Sequence, residues 1–132
     1  SYRRTSELLD DRDMHLVVHV GGPIKRLLEP LAATGLEAIQ GICGPPQSDA
    51  SLLEARRLVG PGTTLWGGIP QDVLLKTYEW ARFEKAVARA AEQAAQANRM
   101  ILGVADRVPV HAQLDRLEAI PSLIQSSLST KE

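Results

Sequence analysis

The chain has 132 residues, 44% of them apolar and 23% charged, which is enough for one core of modest size. Its 15 basic and 16 acidic residues leave a formal net charge of −1, so no surplus field draws it to nucleic acid or to anionic lipid. No run approaches the ~18 unbroken apolar residues of a membrane-spanning helix.

The single cysteine, Cys43, cannot form an intrachain disulfide and fits a reducing, cytoplasmic setting. The opening SYRRTSELLDDRD is charged and lacks the apolar stretch of a signal peptide. It starts on Ser1 and reads as a helix arriving from elsewhere, so the expectation is a piece of a longer protein.

Residues 2–9 form a short helix in this reading, and Asp10, Asp11 and Asp13 form a loop after it. MHLVVHV, residues 14–20, is almost continuously apolar, the pattern of a parallel strand covered on both faces. Gly21 and Gly22 turn the chain. Pro23 suits the first turn of a helix carrying Ile24, Leu27, Leu28 and Leu31, which Gly35 stops and Pro30 kinks or shortens. LEAIQGI, residues 36–42, is a second strand, and CGPPQSD, residues 43–49, is a loop.

Ser48 or Asp49 caps the next helix, whose stripe is Leu52, Leu53, Ala55, Leu58 and Val59 and whose stop is Gly60-Pro61-Gly62. TTLWGGI, residues 63–69, is a third strand ending in a Gly-Gly turn. Residues 80–98 form the longest helix, with Phe83, Val87, Ala90, Ala91 and Ala94 at helical spacing. MILGV, residues 100–104, is the fourth strand, and Asp106, Arg107 and Pro109 trail it. Leu114, Leu117, Ile120, Leu123 and Ile124 mark a last helix that Pro121 interrupts.

Four apolar strands alternating with helices predict an α/β fold with parallel strands and crossover helices, residues 1–132 making one unit. Four such units are half of a (β/α)8 barrel; an open doubly wound sheet binding a small anion is the alternative. In both architectures ligands bind beyond the carboxyl ends of the strands, which directs attention to residues 19–22, 42–49, 67–72 and 105–109.

His19 can serve there as a metal ligand, as a proton donor, or only as a strand-end residue bonded to a backbone carbonyl. Gly21-Gly22 and Gly67-Gly68 either cradle a substrate or simply turn the chain, and neither fits a dinucleotide or P-loop pattern. Asp106 follows a strand, and Arg107 beside it can pair with it or bind an anion. Asp49, Ser51 and Glu54 read as a helix cap with acidic first-turn support. Cys43 has no histidine or second cysteine at ligand spacing, which predicts a buried or half-buried thiol and no structural zinc. Trp66 is expected in the core, and Trp80 against the long helix.

The order HVGG, LLEPLAATGLEAIQGI, SDASLLEARRLVGPGTTLWGGIPQDVLL and MILGVADRVPVHAQLDRLEAI resembles the C-terminal part of the uroporphyrinogen decarboxylase superfamily, which includes corrinoid and coenzyme M methyltransferases. The resemblance covers nearly the whole chain and implies the second half of a (β/α)8 barrel. It implies first a part in decarboxylating tetrapyrrole carboxylates without a cofactor, with an essential aspartate and arginines lying in the half that is not this one. The second implication is corrinoid-linked methyl transfer with a zinc-activated thiol, and the third a degenerate member that binds without chemistry.

In the methyltransferase pattern a histidine, a cysteine two residues on and a cysteine after the last strand hold the zinc. His19 matches the histidine, Gly21 stands in the first cysteine's place, and Val104, Ala105 and Asp106 offer no second one. The histidine that the decarboxylases carry after that strand is absent too. The resulting expectation is a catalytic pair of His19 and Asp106, with Gly21, Gly22, Gly67, Gly68 and Arg107 binding substrate. His19 is the one candidate metal ligand. A tetrapyrrole or a methylated small molecule is the expected substrate, with no nucleic-acid or membrane partner. An isolated half-barrel is expected to be inactive and to dimerise through its open sheet edges.

Overall fold

In the computed structural model, residues 1–129 are described. A single four-stranded parallel sheet forms in the order β1-β2-β3-β4, from β1 (Val17–His19), β2 (Ala38–Ile42), β3 (Thr64–Ile69) and β4 (Met100–Val104). Helices α2 (Lys25–Ala32), α3 (Leu52–Val59) and α4 (Trp80–Ala95) connect successive strands, while α1 (Tyr2–Asp10) precedes them and α5 (Leu114–Ser129) follows. The strand order never reverses, so the chain winds in one sense, as a barrel wall does, and the switch point of a doubly wound sheet is missing.

The helix-facing row of the sheet is the core. Val18, Ile39, Leu65 and Met100 stand side by side in register, and Ile39 and Leu65 are fully buried against Ile24, Leu28, Leu52 and Ala55. A second core, Ile69, Leu74, Phe83 and Val87, joins the end of β3 to α4, with α5 packed over it. The opposite face is open: Val17 is 47%, Trp66 39% and Ile101 47% exposed. The apolar runs therefore do not mark strands covered on both sides, and Trp66 lies on the uncovered face rather than in the core.

Several local expectations change for identifiable reasons. β1 is three residues long rather than seven, because only Val17, Val18 and His19 come into register with β2. α2 begins at Lys25, two residues after Pro23, and Pro30 sits inside it on the exposed side. Pro121 likewise lies within α5 without ending it, exposed where the missing amide bond faces water.

Ser51, and neither Ser48 nor Asp49, caps α3. Its hydroxyl accepts from the Glu54 amide at 3.3 Å, and the Glu54 carboxylate accepts from the Ser51 amide at 2.9 Å. These bonds and Lys25 hold the Glu54 carboxyl down at about 2. Asp49 instead caps α2 from a distance, accepting from the Ile24 and Lys25 amides at 2.7 and 2.9 Å.

At the amino ends of the strands the Arg56 guanidinium gathers four backbone carbonyls, those of Gly60, Thr63, Asn98 and Arg99, at 2.7–2.9 Å. It ties the end of α3 to the starts of β3 and β4.

Candidate site at the carboxyl ends of the strands

All four strands point the same way, so the segments after them meet at one end of the sheet. Two glycines shape that end. At Gly41 the backbone has φ +116° and an added Cβ would lie 1.9 Å from the Val20 carbonyl oxygen, where the pairing register shifts between Gln40 and Ile42. At Gly67, φ +149°, an added Cβ would lie 2.2 Å from the Ile42 carbonyl oxygen. A bulge of this kind re-aims the neighbouring side chain, here Gln40.

Gly67 and Gly68 are thus residues within β3, and the turn comes after Ile69, in a 3₁₀ helix at Gln71–Leu74. Gln40 reaches across β3 to the loop after β4. Its Nε2 donates to the Ala105 carbonyl at 2.7 Å and to the Asp106 carbonyl at 3.4 Å. Its Oε1 then faces His19 Nδ1 in a short hydrogen bond. The other imidazole nitrogen, Nε2, lies 3.4 Å from Asp106 Oδ1, with the two side chains 53% and 35% exposed.

His19, Gln40 and Asp106 therefore form one constellation drawn from β1, β2 and the loop after β4. Because Gln40 spends its N–H groups on backbone carbonyls, its oxygen can only accept, and His19 Nδ1 must donate. In the neutral ring that leaves Nε2 as the basic nitrogen, aimed at Asp106 and open to solvent. A nitrogen so placed, half-exposed and beside a carboxylate, has the geometry of a proton-transfer group.

The structure brings His19 and Asp106 together and leaves the other expected residues outside the pair. Gly21 has nothing within 4 Å of an added Cβ, and Gly22, φ +70°, makes a bridge to Ser48. Arg107 is exposed and, among the described residues, pairs with no carboxylate, since Asp106 faces His19 instead. Gln40 went unread in the sequence because it is one polar residue inside an apolar run. The usable signal was LEAIQGI itself, a lone amide next to a mid-strand glycine.

Cys43, half-buried as expected, is pushed up to about 11 by burial and then by the charges of Asp72 and Asp106. Among the described residues no three His, Cys, Asp or Glu side chains converge as a cation site.

No helix among the described residues is long and apolar enough to cross a membrane. No family model matches the chain, and no curated protein matches its sequence. Among solved structures it is similar to a methyltransferase from Methanosarcina mazei, with a TM-score of 0.70 at 15% identity over 95% of this chain. The match covers 35% of that larger chain, so this chain spans about a third of its length. At such identity the likeness concerns the fold: four parallel strands alternating with helices, consistent with part of a TIM-type barrel.

Proposed function

We propose that this chain supplies part of the wall and mouth of a barrel enzyme of methyl transfer, in which His19 handles the proton. The observation that carries the reading is the meeting of His19, Gln40 and Asp106 where barrel ligands bind. The fold likeness to a methyltransferase supports the reaction class.

Moving a methyl group from a donor X–CH3 to an acceptor H–Nu gives X–H and CH3–Nu, so one proton must leave the acceptor and one must reach the donor's leaving group. His19 Nε2 accepts the first proton, Asp106 stabilises the imidazolium, and the same nitrogen returns the proton to X. Gln40 keeps the ring in the tautomer that makes this possible.

In the full-length protein, assayed with a methylated small molecule and a thiol or amine acceptor, His19→Ala and Asp106→Asn should each lower turnover by about 10²–10⁴-fold. Turnover unchanged in both would sink the proposal. Two related readings share the mouth. Decarboxylation of a tetrapyrrole carboxylate would be selected by carbon dioxide release from a porphyrinogen with no methyl transfer. A binding-only member is favoured by Gly21 standing where a thiolate is expected and by the lack of a cysteine among Val104, Ala105 and Asp106, and it would bind its ligand without turnover. The open edges of β1 and β4, with Val17, Trp66 and Ile101 exposed, support completion of the wall by further barrel or by a second copy.

A further inference from the structure

A second feature lies on the helix side, between the loop after β2, the 3₁₀ helix and α4. It is a cavity of about 370 Å³, within the roughly 300–1,000 Å³ of small-molecule sites. Arg82, Lys85 and Arg89 line it from α4, together with Cys43, Asp72 and Tyr78. The three cations lie at positions i, i+3 and i+7, hence on one helix face, and span about 10 Å of its axis.

Among the described residues none of the three forms an ion pair; Arg82 lies over the Tyr78 ring, 5.2 Å from its centre. Three positive charges thus border one cavity with no carboxylate paired to them.

The adjoining wall is fixed rather than loose. Arg116, 6% exposed, donates to the carbonyls of Val73 and Tyr78, both lining residues, and its guanidinium packs 5.6 Å from the Phe83 ring centre and 5.8 Å from that of Trp80. A buried arginine therefore holds the chain that presents Tyr78, and Tyr78 holds Arg82.

We propose that this cavity binds an elongated organic anion. Acidic groups, carboxylate or phosphate, meet Arg82, Lys85 and Arg89; a flat or aliphatic body lies on Tyr78; a hydroxyl or amine donates to Asp72 at the other end. A purely inorganic anion satisfies the cations but leaves Asp72 without a partner. The proposal stands apart from the His19 chemistry.

Calorimetric titration at low ionic strength with pyrophosphate, citrate and adenosine diphosphate tests it, and separates phosphate from carboxylate recognition. Citrate or adenosine diphosphate should bind more tightly than pyrophosphate. The double variant Lys85→Gln/Arg89→Gln should weaken that binding at least tenfold, while His19→Ala leaves it unchanged. Both α4 positions are exposed, so the fold should survive, and an unchanged circular dichroism melt checks that. Asp72→Asn should weaken adenosine diphosphate and leave pyrophosphate alone. Binding by none of the three at 1 mM, or binding that the double variant does not alter, would overturn the proposal.

Discussion

The two faces of the sheet are built from the same four strands and behave differently. On one, Ile39 and Leu65 are fully buried under α2 and α3; on the other, Val17, Trp66 and Ile101 stand exposed beside His19 and Gln40. Alternate residues of one strand thus divide the work: the covered row holds the fold, and the open row carries the polar chemistry and the surface that a complete barrel would close. A site made from strand residues can be placed accurately because its neighbours one position away are locked in the core.

The largest expected effect tests that division directly. Leu65→Ala should destabilise by about 2–5 kcal/mol in urea denaturation, as deletions in a packed core do. Trp66→Ala, the adjacent residue, should cost less than half as much. Equal losses would mean that the open face is covered in solution, and a dimer in light scattering would then identify the cover as a second copy.

Next comes the seam between the faces. Gly67→Ala forces a side chain onto φ +149° and against the Ile42 carbonyl, which should cost roughly 1–3 kcal/mol from backbone strain, with the overlap adding to it. A stability within about 0.5 kcal/mol of the parent would contradict the close approach. Ser51→Ala removes half of the α3 capping box and should cost about 1 kcal/mol.

The smallest effect is chemical. Cys43, at about 11, is almost wholly protonated at pH 8, so iodoacetamide should label it far more slowly than an unstructured cysteine peptide. Labelling should quicken as pH rises toward 11, and it should be faster in Asp72→Asn, which removes one of the charges opposing the thiolate. Labelling at the peptide's rate would show the thiol to be exposed.

The fold class was legible because βα alternation and Gly or Pro punctuation are local signals. LEAIQGI and MILGV fall almost where β2 and β4 do, and the stripe of Phe83, Val87, Ala90 and Ala91 marks the buried face of α4. What sequence could not show was which row of each strand is covered, since both rows are apolar; hence Trp66 was expected inside. It also could not show reach. His19 and Asp106 stand out as strand-end residues, whereas Gln40, which joins them, lies beside a bulge at Gly41 that appears only when β2 is paired. The role of Asp49 was hidden for the same reason, because the amides that it caps are 24 and 25 residues away.

Nitrogen NMR of His19 asks most directly whether Gln40 orients the histidine toward Asp106. At a pH where the ring is neutral, Nδ1 should carry the proton, although free histidine favours Nε2, and Gln40→Leu should return the ring to the Nε2–H form. A ring protonated at Nε2 in the parent, or one indifferent to Gln40→Leu, would contradict the constellation on which the proposed chemistry rests.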